Sequence, residues 1–329
     1  NFMNNVTESL GCNSSGCNGY DAEPDLFHFN MNGHSGSFVY DTAGQVVLIK
    51  LENYKIEKNL GSSLWNFKIT DDQGIVYYFG GTGAIEKTKR LSSCGKNYDQ
   101  YITNSWYLIK IEHPNGEAIN LTYTAHTYDY DNGVSETKYW RWWMIDPNFV
   151  PGPGAYVSCP SGECPPAPNN TICINQTRTE GVLLNSIYCL NDTAKFVYTG
   201  RSDCGDKLVS QIKHYNNTEH IETFKFTYVQ QQANSSYINE TATGHTYTPY
   251  LTVLEHKSSD SGLTNAHRFV YNDPGGRAPR LSFSQDHWGY FNGKINSTFI
   301  PKPDDGYAAS KFPTVNANRE PDPVYAVKG

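Results

Sequence analysis

The chain has 329 residues, a formal net charge of −7 and 18% charged residues, enough for one large or two medium domains and too acidic for wholesale attraction to nucleic acid or anionic membrane. No run of about 18 apolar residues occurs, so no helical membrane span is expected. Aromatics reach 14%, with 24 tyrosines, and Thr, Ser, Asn and Gly prevail over helix-forming stretches; this composition favours strands and turns.

Residues 1–35 read as a disulfide-pinned N-terminal segment; the spacings Cys12/Cys17 and, farther on, Cys159/Cys164 each suit a short loop-closing bridge. The first eight residues lack the basic start and apolar core of a signal peptide, and the chain is expected to be a mature or excised piece. A first hairpin series is expected over residues 36–136. Residues 36–40 and 45–49 flank Asp41-Thr42-Ala43-Gly44, and 64–70 and 75–79 flank Asp71-Asp72-Gln73-Gly74. Residues 106–112 and 117–124 flank His113-Pro114-Asn115-Gly116. Gly, Asn and Asp tolerate the backbone angles of tight hairpins.

Residues 137–180 interrupt the pattern. They hold Trp140, Trp142 and Trp143, then a Pro- and Gly-rich stretch incompatible with regular structure. The expectation is an irregular, disulfide-pinned excursion whose rings either anchor it to the sheet or stack on glycans. A second hairpin series is expected over 181–300. Its strands are 182–189 with 194–199, 208–215 with 221–228, and 251–255 with 267–271. Residues 301–329 read as an extended C-terminal segment. The predicted fold is all-β: successive antiparallel hairpins forming a large curved ribbon or partial shell.

The cysteines number eight: Cys12, Cys17, Cys94, Cys159, Cys164, Cys173, Cys189 and Cys204. An even number at this density reads as disulfides, hence an oxidising compartment, rather than as metal ligands. The pairing does not follow from the sequence. Asn-x-Ser/Thr occurs ten times, at Asn5, Asn13, Asn120, Asn169, Asn175, Asn191, Asn216, Asn234, Asn239 and Asn296. With the cysteines, these glycosylation candidates indicate a secreted or cell-surface protein.

Asp286-His287, followed by Trp288 and Tyr290, has the look of a catalytic pair, with Ser282 and Ser284 nearby. No nucleophile elbow, zinc-protease or phosphate-loop motif accompanies it. The segment is therefore read as a structural lock. Asp286 would accept turn amides, His287 would bridge to a carbonyl, and Trp288 and Tyr290 would lay their rings on apolar surface. On this reading Trp288→Ala removes about 3 kcal/mol or more of stability. The carboxylate pairs Glu23/Asp25, Asp71/Asp72 and Asp304/Asp305 lie in polar turns, and no catalytic, metal or cofactor site is expected.

Five stretches carry a resemblance: residues 23–41 (EPDLFHFNMNGHSGSFVYD), 74–81 (GIVYYFGG), 105–123 (SWYLIKIEHPNGEAINLTY), 281–293 (LSFSQDHWGYFNG) and 317–329 (ANREPDPVYAVKG). In that order the chain resembles RHS/YD-repeat shell proteins of Bacteroidota-type bacteria, apart from its Cys-rich stretch at 159–173. The resemblance implies a ribbon of hairpins, upstream of the core region and toxin, that encapsulates or displays a downstream domain. The expected function is thus a non-enzymatic structural component of a shell or surface fibre. Its partners would be further repeats of the same polypeptide, or neighbouring copies, joined by sheet-edge pairing. The isolated chain is expected to be catalytically silent, protease-resistant and unfolded by reduction. The second reading is an adhesin or carbohydrate-binding segment whose exposed Trp residues bind surface glycans. A hydrolase ranks last.

Overall fold

The computed structural model describes residues 25–59, 66–91, 100–139, 169–238, 246–259, 262–272, 276–302 and 315–326. Among the described residues the fold is all-β and antiparallel, apart from a 3-10 turn at Ser235–Tyr237 and a helical turn at Pro323–Ala326. Two compact units divide the chain: Asn1–Asp131, Gln176–Gln231 and Tyr247–Asn272 form the first, and Asn132–Asn175, Gln232–Thr246 and Asp273–Gly329 the second.

The first unit begins with a three-stranded sheet of β1 (Phe27–Met31), β2 (His34–Tyr40) and β3 (Val46–Leu48). A larger sheet follows, in the order β16-β15-β14-β13-β12-β11-β10-β9-β6-β5-β4, with β7 pairing β11 and β8. Its strands are β4 (Lys55–Asn59), β5 (Asn66–Thr70), β6 (Val76–Gly80), β7 (Ile85–Arg90), β8 (Ile102–Trp106), β9 (Leu108–Glu112), β10 (Ala118–Tyr139) and β11 (Asn169–Cys189). Then come β12 (Asp192–Gly200), β13 (Lys207–Asn216), β14 (Glu219–Gln232), β15 (Tyr247–Ser258) and β16 (Gly262–Arg268). From β9 to β16 consecutive strands pair in chain order, while β9 also pairs β6 and β11 also pairs β7.

Period-two alternation builds the core. Phe29 and Met31 from β1, Phe38 and Tyr40 from β2, Phe67 and Ile69 from β5, Tyr77 from β6 and Ile56 from β4 form one buried cluster. Burying each such side chain stabilises by about 1.5–3 kcal/mol. Phe27 stacks on Phe38 at 5.1 Å between centroids, and Trp106 meets Phe67 edge-on at 5.0 Å. Phe29 lies opposite Gly36 across the β1–β2 ladder. A Cβ on Gly36 would come within 2.5 Å of the Phe29 ring, so the ring covers the glycine backbone.

Three departures from the sequence reading have physical causes. The expected N-terminal segment contains β1, whose Phe27, Phe29 and Met31 supply part of the core. The expected excursion begins and ends in strand, because β10 runs to Tyr139 and β11 starts at Asn169. The strand expected at 267–271 lies earlier, at Gly262–Arg268, since Ser258 pairs with Gly262 in a tighter turn than the Ser/Asp/Gly-rich sequence implied.

The second unit holds few paired strands among the described residues, and side chain-to-backbone hydrogen bonds replace ladders there. Glu136, 1% exposed at its side chain, accepts from the Thr298 hydroxyl and the Phe299 amide, both at 2.7 Å. Its other oxygen lies 3.4 Å from the nearly buried Lys138 ammonium. Asn296 Nδ2 donates to the Phe283 and Asn318 carbonyls, both at 3.0 Å, while its Oδ1 accepts the Asn318 amide at 2.9 Å.

Candidate functional site

One turn geometry recurs four times and decides how the Asp286-His287 stretch is read. Asp41 Oδ1 accepts the amides of Ala43 (2.9 Å) and Gln45 (2.8 Å). Asp71 Oδ1 accepts those of Gln73 and Ile75, both at 2.9 Å. Asp286 Oδ1 accepts those of Trp288 (2.8 Å) and Tyr290 (2.9 Å). At His113 the ring Nδ1 takes the Asn115 amide at 3.3 Å. In every case the first residue's amide donates to the carbonyl four residues on, and the glycine three residues on donates back to the first residue's carbonyl. Gly44, Gly74, Gly116 and Gly289 hold φ of +75°, +82°, +94° and +89°, which a side chain would resist. The shared spacing, Asp or His followed three residues later by Gly, was visible in the sequence and ties the Asp286 turn to the other three.

Asp286 is 2% exposed, and its carboxylate faces turn amides rather than an imidazole. Arg319 holds the turn by donating to the Asp286 carbonyl from Nε (3.1 Å) and from a terminal nitrogen, and to the Phe299 carbonyl at 3.1 Å. Asn292 is 0% exposed and donates to the carbonyls of Asn318 (2.9 Å) and Glu320 (3.2 Å). Phe283 packs edge-on against Phe299, and Phe291 against Tyr237. The Ser282 hydroxyl donates to the Tyr237 carbonyl at 2.8 Å and lies 3.2 Å from the buried Ser284 hydroxyl.

The expectation for the rings is corrected. Trp288 is 71% and Tyr290 57% exposed, and the His287 ring faces solvent too, with its backbone amide donating to the Arg319 carbonyl at 3.2 Å. The segment is a turn rather than an extended strand, so strand alternation does not apply and the tip residues point outward. Its anchors are Asp286, Phe291 and Asn292.

The disulfide expectation is corrected at two positions. Cys189 and Cys204 are free thiols. Cys189 sits opposite Asp192 at one end of β12, and Cys204 lies in the loop beyond Gly200 at the other. A strand of nine residues separates them by roughly 25 Å at about 3.3 Å per residue, whereas a disulfide needs Cα atoms within about 7 Å. Burial pushes the Cys204 thiol above its ordinary range, which disfavours a nucleophilic thiolate. Cys173 is disulfide-bonded. Cys12, Cys17, Cys94, Cys159 and Cys164 lie outside the described residues, as do Trp140, Trp142 and Trp143.

The glycosylation candidates are unequal. Asn191 is exposed in the β11–β12 turn. Asn234 caps the 3-10 turn through its oxygen, which accepts the Ser236 amide at 2.9 Å. Asn216 Nδ2 donates to Asp192 at 3.2 Å. Asn296 uses Nδ2 for two internal bonds, and a glycan there would displace at least one of them. Asn120 and Asn175 lie within β10 and β11, and Asn169 opens β11; Asn5, Asn13 and Asn239 fall outside the described residues.

Two polar arrangements were not foreseen. Across β12, β13, β14 and β15 runs the row Asp192–His214–Glu222–His256, with separations of 3.1, 3.2 and 2.6 Å. The Asp192 bond, then Glu222, raises the His214 pKa, while the His256 bond, then His214, lowers that of Glu222. Near β2, a pocket of about 450 Å³ is lined by His34, Ser35, Ser37, Lys50, Glu52 and Tyr54 among others. His34 Nδ1 lies 2.9 Å from the Tyr54 hydroxyl, and Nε2 lies 3.9 Å from the buried Asp71 carboxylate. Cross-strand register creates the first, and packing of β2 against Tyr54 and the Asp71 turn creates the second; neither is written in local sequence. Among the described residues no group of three or more His, Cys, Asp or Glu is placed to hold a metal ion, and no helix is long and apolar enough to cross a membrane.

No family model and no curated protein matches the sequence. Among solved structures, the N-terminal domain of effector protein SpvB from Salmonella typhimurium strain LT2 aligns over 76% of this chain and 75% of that chain, at 13% identity and a TM-score of 0.25. At that TM-score the alignment carries no argument about fold or function.

Proposed function

We propose that the chain is a non-enzymatic structural component of a secreted or cell-surface β-shell or fibre of the RHS/YD type, one that encapsulates or displays a downstream domain. The carrying observation is the run from β9 to β16, in which each strand adds to the edge left by its predecessor. A sheet grown this way is a ribbon that further repeats can extend. Its two ends differ in a manner that supports growth at one of them. On β4, Lys55 lies 3.0 Å from Glu57, which Lys68 of the adjacent β5 approaches at 3.5 Å, and charge is the usual protection of an edge. At β16 the chain continues into the exposed Phe269, Val270 and Tyr271. The partner at β16 is on this reading further repeats of the same polypeptide, or a neighbouring copy.

Hydrogen exchange on the natively purified protein, beside the isolated 329-residue chain, tests this. The expected result is that amides on the outer edge of β16 exchange rapidly in the isolated chain and are protected in the native material. Equal, rapid exchange in both would mean that nothing pairs with β16, and the reading fails.

A further inference from the structure

The pocket of about 450 Å³ beside β2 is walled by rings as well as by polar groups. Phe29 from β1, His34 from β2 and Tyr54, just ahead of β4, all line it. The Tyr54 ring meets Phe29 at 5.2 Å between centroids and 79°, and His34 at 5.8 Å and 84°. Tyr54 thus stands nearly perpendicular to both neighbours, an arrangement that aromatic pairs favour. The 2.9 Å contact between His34 Nδ1 and the Tyr54 hydroxyl ties two of the rings together. Phe29 belongs to the buried core, so the wall it contributes is rigid.

The surroundings of these rings are acidic. Glu52 lines the pocket, and the buried Asp71 carboxylate lies 3.9 Å from His34 Nε2. Burial raises the Tyr54 pKa, and Glu52, Asp72 and Asp71 raise it further, while Lys50 opposes them. Three carboxylates therefore act on the Tyr54 hydroxyl against one ammonium. The two nearest are engaged within the protein: Lys50 Nζ lies 2.7 Å from Glu52, and Asp71 accepts the Gln73 and Ile75 amides and the Tyr77 hydroxyl. The site thus offers an incoming cation a negative field and ring walls rather than a set of acceptors. A metal ion needs converging ligands, which the described residues do not supply. A primary ammonium needs an acceptor for each of its N–H groups. A quaternary ammonium needs neither, and its methyl groups carry the charge onto ring surfaces.

We propose that this pocket takes a quaternary ammonium cation of the choline type, seated against Phe29, His34 and Tyr54 beside Glu52. Its volume falls in the range of small-molecule sites. The walls are held by the core and by the His34–Tyr54 bond before any ligand arrives, so little order is lost on binding.

Isothermal titration calorimetry of the full chain with choline chloride tests the assignment, beside methylammonium chloride and 3,3-dimethyl-1-butanol, the uncharged carbon isostere of choline. Choline is expected to bind saturably, and the isostere and methylammonium each about tenfold more weakly or worse. Tyr54→Leu, which keeps apolar volume but removes the ring, should weaken choline about tenfold, whereas Tyr54→Phe should retain most of the binding. Glu52→Gln, which removes charge and little volume, should weaken choline severalfold and leave the isostere unaffected. Thermal unfolding of each variant separates lost binding from lost folding, and the comparison of the three ligands on the wild-type chain needs no variant at all. Any of three results overturns the proposal. One is the absence of saturable choline binding. Another is equal affinity for choline and either comparison ligand, which would make the pocket a plain apolar cavity or a plain ion-pair site. The last is choline binding that survives both Tyr54→Leu and Glu52→Gln, which would place the ligand elsewhere on the chain.

Discussion

Asp286 accepts two amide hydrogens inside the protein, whereas the Trp288 ring meets solvent, so removal of the two side chains has different consequences. Asp286→Ala strands two turn amides and should destabilise the second unit by about 2–4 kcal/mol. Trp288→Ala should change stability by less than about 0.5 kcal/mol. Urea midpoints of the two variants distinguish this from a lock made of rings, which would show a large loss at Trp288. Glu136 presents a second case. Glu136→Ala removes the acceptor of the Thr298 hydroxyl and the Phe299 amide and leaves Lys138 nearly buried without its counter-charge. The expected loss is about 3–5 kcal/mol, with faster exchange of the Phe299 amide as the local readout. Asp286 as a turn acceptor is legible in the sequence, because Asp followed by Gly three residues later writes the turn. The outward aim of its rings is not, since an alternating-strand reading fails inside a turn. Glu136 is illegible for another reason: its partner hydroxyl lies 162 residues away.

Elements are legible to the extent that their signals are local. The hairpins β2–β3, β5–β6 and β9–β10 follow from turn residues between alternating strands. By contrast β7, with the sequence Ile-Glu-Lys-Thr-Lys-Arg, has no apolar alternation; its pairing with β8 and β11 makes it a strand. Gly36 shows how register bears on a single position. Gly36→Ala would place a Cβ against the Phe29 ring, and thermal unfolding should report a loss of about 1–3 kcal/mol from overpacking. The row across β12 to β15 gives the sheet a pH dependence. His214 has its pKa raised above 6.5 by Asp192 and then Glu222, so its contribution is complete below about pH 6.5 and is lost as pH rises through the elevated value. Glu222 and Asp192 have theirs lowered below 4.5 and 3.8, chiefly by His256 and His214 respectively, so their contribution is present above those values and is lost as pH falls through the depressed ones. Protection of the β13–β14 amides should therefore be greatest between about pH 4.5 and 6.5, and Glu222→Gln should flatten the profile. These side chains are substantially exposed, so the effect is local and screened by salt.

For the whole molecule, the question is whether crosslinks or the sheet itself hold the fold. A cysteine-rich, secreted reading expects reduction to unfold the chain. Within β12 to β16, however, Cys204 is the one cysteine, and it is a free thiol. These strands are joined by ladders running along consecutive hairpins, with bulges at Val197/Tyr198 and His214/Tyr215. Tyr198 and Tyr228 donate to the carbonyls of Leu184 and Val209, at 2.7 and 2.9 Å, and add side-chain ties between strands. A disulfide acts mainly by restricting the unfolded chain, typically by about 2–4 kcal/mol, and no disulfide closes a loop within β12–β16. Reduction with dithiothreitol should therefore leave amide protection in β12 to β16 unchanged at low denaturant, whatever happens elsewhere in the chain. Hydrogen exchange read strand by strand checks this directly. Loss of protection across β12 to β16 on reduction would mean that a crosslink elsewhere governs the sheet, and that the hairpins do not sustain themselves by their own pairing.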